Sequence, residues 1–168
     1  GWEVTIDGSH TFANGLGIYA NVNISDYKSE ITQWNANSGN LLTSNYKGKT
    51  IGEIWGFETD RYFTSAEDVA SSPSQVGLQT GNFVYGPGDI KFKDLNEDNV
   101  IDAGASTLQD HGDLKVIGNT TPRYQYSFRI GGAWKGFDID MYFQGIGKRQ
   151  MWATGNEAIP YYRGADVM

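Results

Sequence analysis

The chain has 168 residues, with 22 glycines, 4 prolines, 14% aromatics, no cysteine, a formal charge of -7 and an isoelectric point of about 4.7. The acidity argues against nucleic-acid binding, because no basic face is evident to neutralise phosphates, and the lack of cysteine removes disulfides, thiol nucleophiles and Cys-based zinc sites. Mean hydropathy is -0.48, and no stretch approaches the roughly 18–20 apolar residues of a spanning helix, a test that leaves membrane β-barrels untouched because their strands alternate.

Four segments alternate with period 2. Trp2, Val4 and Ile6 oppose Glu3, Thr5 and Asp7; Ile18, Ala20, Val22 and Ile24 oppose Tyr19, Asn21, Asn23 and Ser25. Ala13-Asn14-Gly15 joins them, a turn in which Asn and Gly tolerate positive φ. Residues 28 to 122 carry turn signals and one short helix, for which Thr64-Ser65-Ala66-Glu67 predicts a capping box between Thr64 and Glu67, with Pro73 as its limit. Asp89-Ile90-Lys91-Phe92 reads as a short strand. Then Tyr124, Tyr126, Phe128, Ile130 and Trp134 oppose Arg123, Gln125, Ser127 and Arg129, and Phe137, Ile139, Met141 and Phe143 oppose Asp138, Asp140, Tyr142 and Gln144. A Lys135-Gly136 turn would pair Trp134 with Phe137, Gly132 with Ile139, Ile130 with Met141 and Phe128 with Phe143. Every such pair falls on the apolar face, and a one-residue slip would destroy the match. Gly1 opens into a strand pattern and Met168 ends without a stop signal, so both ends read as cuts through a longer chain.

Alternating strands fit a soluble β-sandwich and a transmembrane barrel. Two features favour the barrel. Arg123, Arg129, Asp138 and Asp140, with Gln125 and Gln144, suit a wet lumen. Connection lengths run short, very long, short, then a further loop after Trp152, the rhythm of short periplasmic turns and long extracellular loops.

The run Gly88-Asp89-Ile90-Lys91-Phe92-Lys93-Asp94-Leu95-Asn96, followed by Asp98, Val100-Ile101-Asp102, Ile117-Gly118-Asn119 and Pro122, resembles the C-terminal part of SusC/RagA-type TonB-dependent outer-membrane transporters. Trp134-Lys135-Gly136-Phe137-Asp138-Ile139 with Phe143-Gln144-Gly145 resembles that family's next hairpin. Trp55-Gly56-Phe57-Glu58-Thr59-Asp60 with Tyr62-Phe63, and Gly1-Trp2-Glu3, resemble earlier segments. The insertion Ala103 to Gly112 departs from the family, and by spacing Asp113 is the matching acid. The resemblance implies an all-β fold, antiparallel hairpins of a large transmembrane barrel of about 22 strands around a plugged lumen, with one long extracellular loop region. It implies a barrel hairpin at 1–27, the loop region at 28–122, a second hairpin at 123–150 and the start of another extracellular loop at 151–168. It further implies the outer membrane of a Gram-negative bacterium, import of an oligosaccharide or peptide, a SusD-like surface lipoprotein, and a TonB complex engaged through other parts of the transporter.

Asp94, Asn96, Asp98, the Val100 carbonyl and Asp102 match positions 1, 3, 5, 7 and 9 of an EF-hand-type loop, hard oxygens of the kind calcium takes. Asn99 stands where Gly usually makes the sharp turn. Position twelve is Ala105, which has no ligand oxygen, so Asp113 is the expected replacement for a structural Ca2+. The other reading is a solvated acidic turn held by Asx hydrogen bonds. Trp34, Trp55, Phe57, Tyr62, Phe63, Phe83 and Tyr85 could meet a sugar or a partner, or form the loop region's own small core. His10 and His111 lack partner spacing, Asp138 and Asp140 read better as lumen-facing than as a glycosidase pair, and nothing supports an enzyme. The competing function is a secreted calcium-dependent carbohydrate-binding β module.

Overall fold

A computed structural model describes residues 1–152; residues 153–168, and with them most of the expected loop at 151–168, lie outside the described residues. The chain is all-β with antiparallel sheets and divides into two compact units, residues 1–27 with 119 onward, and residues 28–118. Its strands are β1 (Trp2–Thr11), β2 (Gly17–Asp26), β3 (Glu53–Phe57), β4 (Thr59–Tyr62), β5 (Ile90–Phe92), β6 (Leu114–Asn119), β7 (Arg123–Trp134) and β8 (Phe137–Lys148), and one α-helix, α1, spans Ala66–Ser71.

The first unit is a single open sheet in the order β1-β2-β7-β8. The two hairpins fold as their turns dictate. Lys135 (φ 50) and Gly136 (φ 89) are both left-handed, as a two-residue hairpin turn requires. The register sets Trp134 against Phe137, Ile130 against Met141 and Phe128 against Phe143, as the face matching predicts. At the other turn Phe12 and Leu16 close Ala13-Asn14-Gly15, with Gly15 at φ 81 and its N–H donating to the Phe12 carbonyl. Pairing of β2 with β7 joins the hairpins, with Val22 opposite Phe128 and Ala20 opposite Ile130. Both short turns lie at one end of the sheet, where the Trp134 indole N–H donates to the Asn14 carbonyl at 3.3 Å. The long connection leaves β2 and rejoins β7 at the opposite end.

Side chains alternate across these strands, so the aligned registers make two unlike faces. Rows such as Ile6–Val22–Phe128–Phe143 and Gly8–Ala20–Ile130–Met141 cross all four strands on one face. Rows such as Asp7–Asn21–Arg129–Tyr142 and Thr5–Asn23–Ser127–Gln144 cross the other.

The second unit holds the pair β3–β6 and the antiparallel pair β4–β5; β5 falls on the short strand read at Asp89–Phe92, whereas β3, β4 and β6 lie where turn signals pointed to loop. Its core is Leu42, Tyr46, Ile54, Phe63 and Ile101. The capping box sits one residue later than the Thr64/Glu67 reading. Ser65 is the N-cap and accepts from the Asp68 N–H at 3.1 Å. The carboxylate of Asp68 in turn accepts from the N–H and hydroxyl of Thr64 at 3.0 and 3.1 Å. Ser65 wins because Asp68 also reaches the Arg61 guanidinium on β4, an anchor Glu67 does not share. Pro73 follows the helix end as expected.

Candidate functional site

The sheet presents the larger candidate surface. Its apolar face is uncovered within its own unit: Ile6 is 65% exposed, Ile139 60%, Ile130 46% and Phe128 39%. Leaving a Val, Ile or Phe side chain in water forgoes about 1.5–3 kcal/mol relative to burial, so rows four strands wide demand an apolar cover. Strands of 10 and 12 residues match the roughly 9–11 tilted residues that cross a bilayer core. Phe128 and Phe143 stack at 4.6 Å in mid-face. Trp134 and Phe137 stand at the turn end, and Trp2 and Tyr126 toward the other. The Tyr126 ring lies over Gly145, where a Cβ would come within 2.5 Å of it, so glycine is needed there.

The polar face pairs several of its charged groups internally, though Asp138 has no side-chain partner among the described residues. Arg129 forks onto Asp140, its Nε donating to both carboxylate oxygens at 2.9 Å, and its guanidinium lies 5.8 Å from the Tyr19 ring centroid. Asn21 donates to Asp7, and Asn23 donates to Glu3 at 2.7 Å and Thr5 at 2.9 Å. Arg123, expected on this face, instead pairs with the buried Asp26 at the strand ends.

The acidic turn of the second unit is closed largely by its own main chain. Asp94 accepts from the N–H groups of Glu97 (2.7 Å) and Asn99 (2.8 Å), Asp98 from Val100 (2.8 Å) and Asp102 from Gly104 (2.7 Å). Asn99 takes the expected left-handed conformation, φ 67. Asp113 is fully buried, and each of its oxygens accepts a main-chain N–H, from Leu95 at 2.6 Å and Asp102 at 3.0 Å. It thus ties the two ends of the loop together by hydrogen bonds. The inserted segment makes this reach feasible. Gly104 and Gly112, both at φ 51, pass so close that a Cβ on Gly112 would lie 2.4 Å from the Asp102 carbonyl oxygen. The insertion is therefore pinched at its base and returns Asp113 to the turn, its N–H donating to Asp102 O at 2.8 Å. Among the described residues, no group of three or more His, Cys, Asp or Glu side chains converges as a metal cage.

The expected contact aromatics separate into two sets. Phe63 is core, with Tyr85 against it at 6.2 Å and Phe83 beyond at 4.9 Å. Phe57 packs on Phe92 at 5.4 Å. Trp55 donates its indole N–H to Glu53 (2.8 Å) and the Tyr46 hydroxyl (3.0 Å). Burial, with the hydrogen bond to Glu53, pushes the Tyr46 phenol up to about 12. Trp34 and Tyr62 stay exposed and available to a partner.

Three features carried no sequence signal. Gln75 is buried and completes the edge of β5, donating to Ile90 O at 3.1 Å and accepting from Phe92 N–H at 2.7 Å. Glu58 sits between Lys115 and Lys93, which hold its carboxyl down to about 2. His111 packs on Trp55 at 5.6 Å, and its buried Nδ1 has no hydrogen-bond partner.

No protein-family model matches the chain, and no curated protein matches it.

Proposed function

We propose that the chain is part of the barrel wall and an extracellular region of a TonB-dependent outer-membrane transporter of the SusC/RagA type, importing a large nutrient such as an oligosaccharide or peptide. The observation that carries this reading is the uncovered apolar face, four strands wide, backed by a polar face that pairs Arg129 with Asp140 and Asn21 with Asp7. A barrel strand needs both, one for lipid and one for the lumen. Open edges on β1 and β8 are where neighbouring wall strands would pair, since a spanning sheet must satisfy every backbone group. On this reading the short turns at 13–15 and 135–136 are periplasmic and residues 28–122 extracellular. Cysteines placed at Ser72 and Lys135 test it in intact cells: an impermeant thiol reagent labels the first and spares the second, and the reverse labelling would overturn the topology.

The same reading assigns the extracellular unit to a SusD-like lipoprotein or to the substrate, with Trp34 and Tyr62 as contacts. Their joint change to alanine should reduce uptake several-fold, on the order of the 1–2 kcal/mol of exposed aromatic contacts, without changing barrel assembly. A structural Ca2+ on Asp94, Asn96, Asp98, the Val100 carbonyl and Asp102 belongs to the proposal, supported by the donor class and the left-handed Asn99. Asp113 would then brace the loop from beneath through main-chain hydrogen bonds. The Asx-bonded turn without an ion is favoured by the engagement of both Asp113 oxygens, and calorimetry separates the two.

A further inference from the structure

Three observations converge where β2 ends and β7 begins. Asp26 is 6% exposed and accepts from Arg123 Nε at 2.5 Å, from Arg123 Nη2, and from the Tyr124 N–H at 3.3 Å. Tyr124 sits at φ 54, a left-handed conformation that costs a bulky residue free energy and persists only where surroundings enforce it. The β7–β8 ladder pairs Arg123 with Lys148 and Gln125 with Ile146, but Tyr124 and Gly147 between them do not pair. Gly147 leaves the room Tyr124 occupies, since a Cβ there would lie 3.0 Å from the Tyr124 Cβ.

We propose that Asp26, Arg123 and Tyr124 form a two-state latch. In the latched state Asp26 holds the Arg123 guanidinium and the Tyr124 N–H, and Tyr124 is left-handed. In the released state the ion pair opens, Tyr124 leaves the left-handed conformation, and its N–H loses Asp26 and faces water, with Tyr124 and Gly147 still unpaired. The latched partners are 97 residues apart in sequence. The latch therefore fastens the points where the long connection leaves and rejoins the sheet, and release frees the end of β7 from β2. It is independent of the transporter reading, because it rests on the strand ends alone.

Amide hydrogen exchange of the whole folded protein tests it. Asp26→Asn should speed exchange at Tyr124 about tenfold while Val22 and Phe128 keep their rates, because one charge-assisted partner is lost. Tyr124→Gly, which relieves the left-handed cost, should slow exchange at position 124 about fivefold. Arg123→Lys keeps the charge but not the fork, and should fall between wild type and Asp26→Asn. An unchanged Tyr124 rate in Asp26→Asn, or an equal rise throughout β2 and β7, would overturn the latch. Should Asp26→Asn fail to fold, wild-type exchange at position 124 in both Arg123→Lys and Tyr124→Gly overturns it equally.

Discussion

The two units of this chain solve opposite problems. The four-stranded sheet has the longest strands and the best-aligned registers, yet none of the five buried hydrophobic residues found among the described residues lies in it. The unit at 28–118 has strands of three to six residues and contains all five. Regular secondary structure and a hydrophobic core are therefore separated in this molecule. The unit at 28–118 behaves as a water-facing fold, with apolar groups inside and carboxylates turned onto main-chain donors. The sheet pairs several of its polar groups with each other and leaves its apolar groups uncovered, which suits a wall between lipid and water.

That contrast breaks most sharply under a buried-charge test. Ile130→Arg, on the apolar face, should cost about 2–4 kcal/mol and reduce folded barrel in the membrane, whereas Ser127→Arg on the polar face should assemble normally. Equal assembly of the two, read from the folded fraction in isolated membranes, would remove the distinction between the faces.

The unit at 28–118 should respond to core changes that the sheet would ignore. Ile101→Ala should cost about 2–4 kcal/mol through the cavity it leaves. Asp113→Ala strands the Leu95 and Asp102 N–H groups and should cost about 2–3 kcal/mol. Denaturant unfolding followed at Trp55 measures both, and a cost below about 0.5 kcal/mol for Asp113→Ala would mean that the turn closes without it.

Acid should loosen the unit at 28–118 through Glu58. Its folded carboxyl is depressed to about 2 by Lys115 and Lys93, from an ordinary 4.5. The unfolded chain therefore binds the proton more readily. The stabilisation is fully present above pH 4.5 and is lost as pH falls toward 2. Arg61 lowers Asp68 in the same direction. Glu58→Gln should flatten the pH dependence of thermal unfolding in this window, and an unchanged slope would dismiss Glu58 as its source.

Calcium should have the smallest effect. Millimolar calcium should give binding heat that the double change Asp94→Ala with Asp98→Ala abolishes, with a Tm gain of only about 2–4 °C because Asp113 already closes the loop. No heat at that concentration would leave the hydrogen-bonded turn as the whole account.

How far the sequence could be read follows from which information is local. The register of β7 with β8 was legible because two turn residues fix it and the face pattern checks it. The junction of β2 with β7 was not, since it joins segments separated by the long connection and no local signal specifies it. In β3 the buried positions are Ile54 and Gly56, so the inward face carries almost no apolar pattern, and the strand was hidden. Spacing singled out Asp113 as the matching acid, but its partners are main-chain N–H groups, which composition cannot display. Gln75 was invisible for the same reason: a glutamine that completes a strand edge looks like any polar loop residue.

The proposed transporter wall requires that the apolar face meet lipid. Nitroxide labels placed singly at Asn21, Val22, Asn23, Ser127, Phe128 and Arg129 of the membrane-embedded protein test it through collision with oxygen, which concentrates in lipid, and with a water-soluble nickel chelate. The account predicts strict alternation, with Val22 and Phe128 favouring oxygen and their four neighbours not. Protection of Val22 and Phe128 from both reagents would place a protein layer on that face. The sheet would then be half of a sandwich, as in a secreted binding module, and the transporter reading would be contradicted.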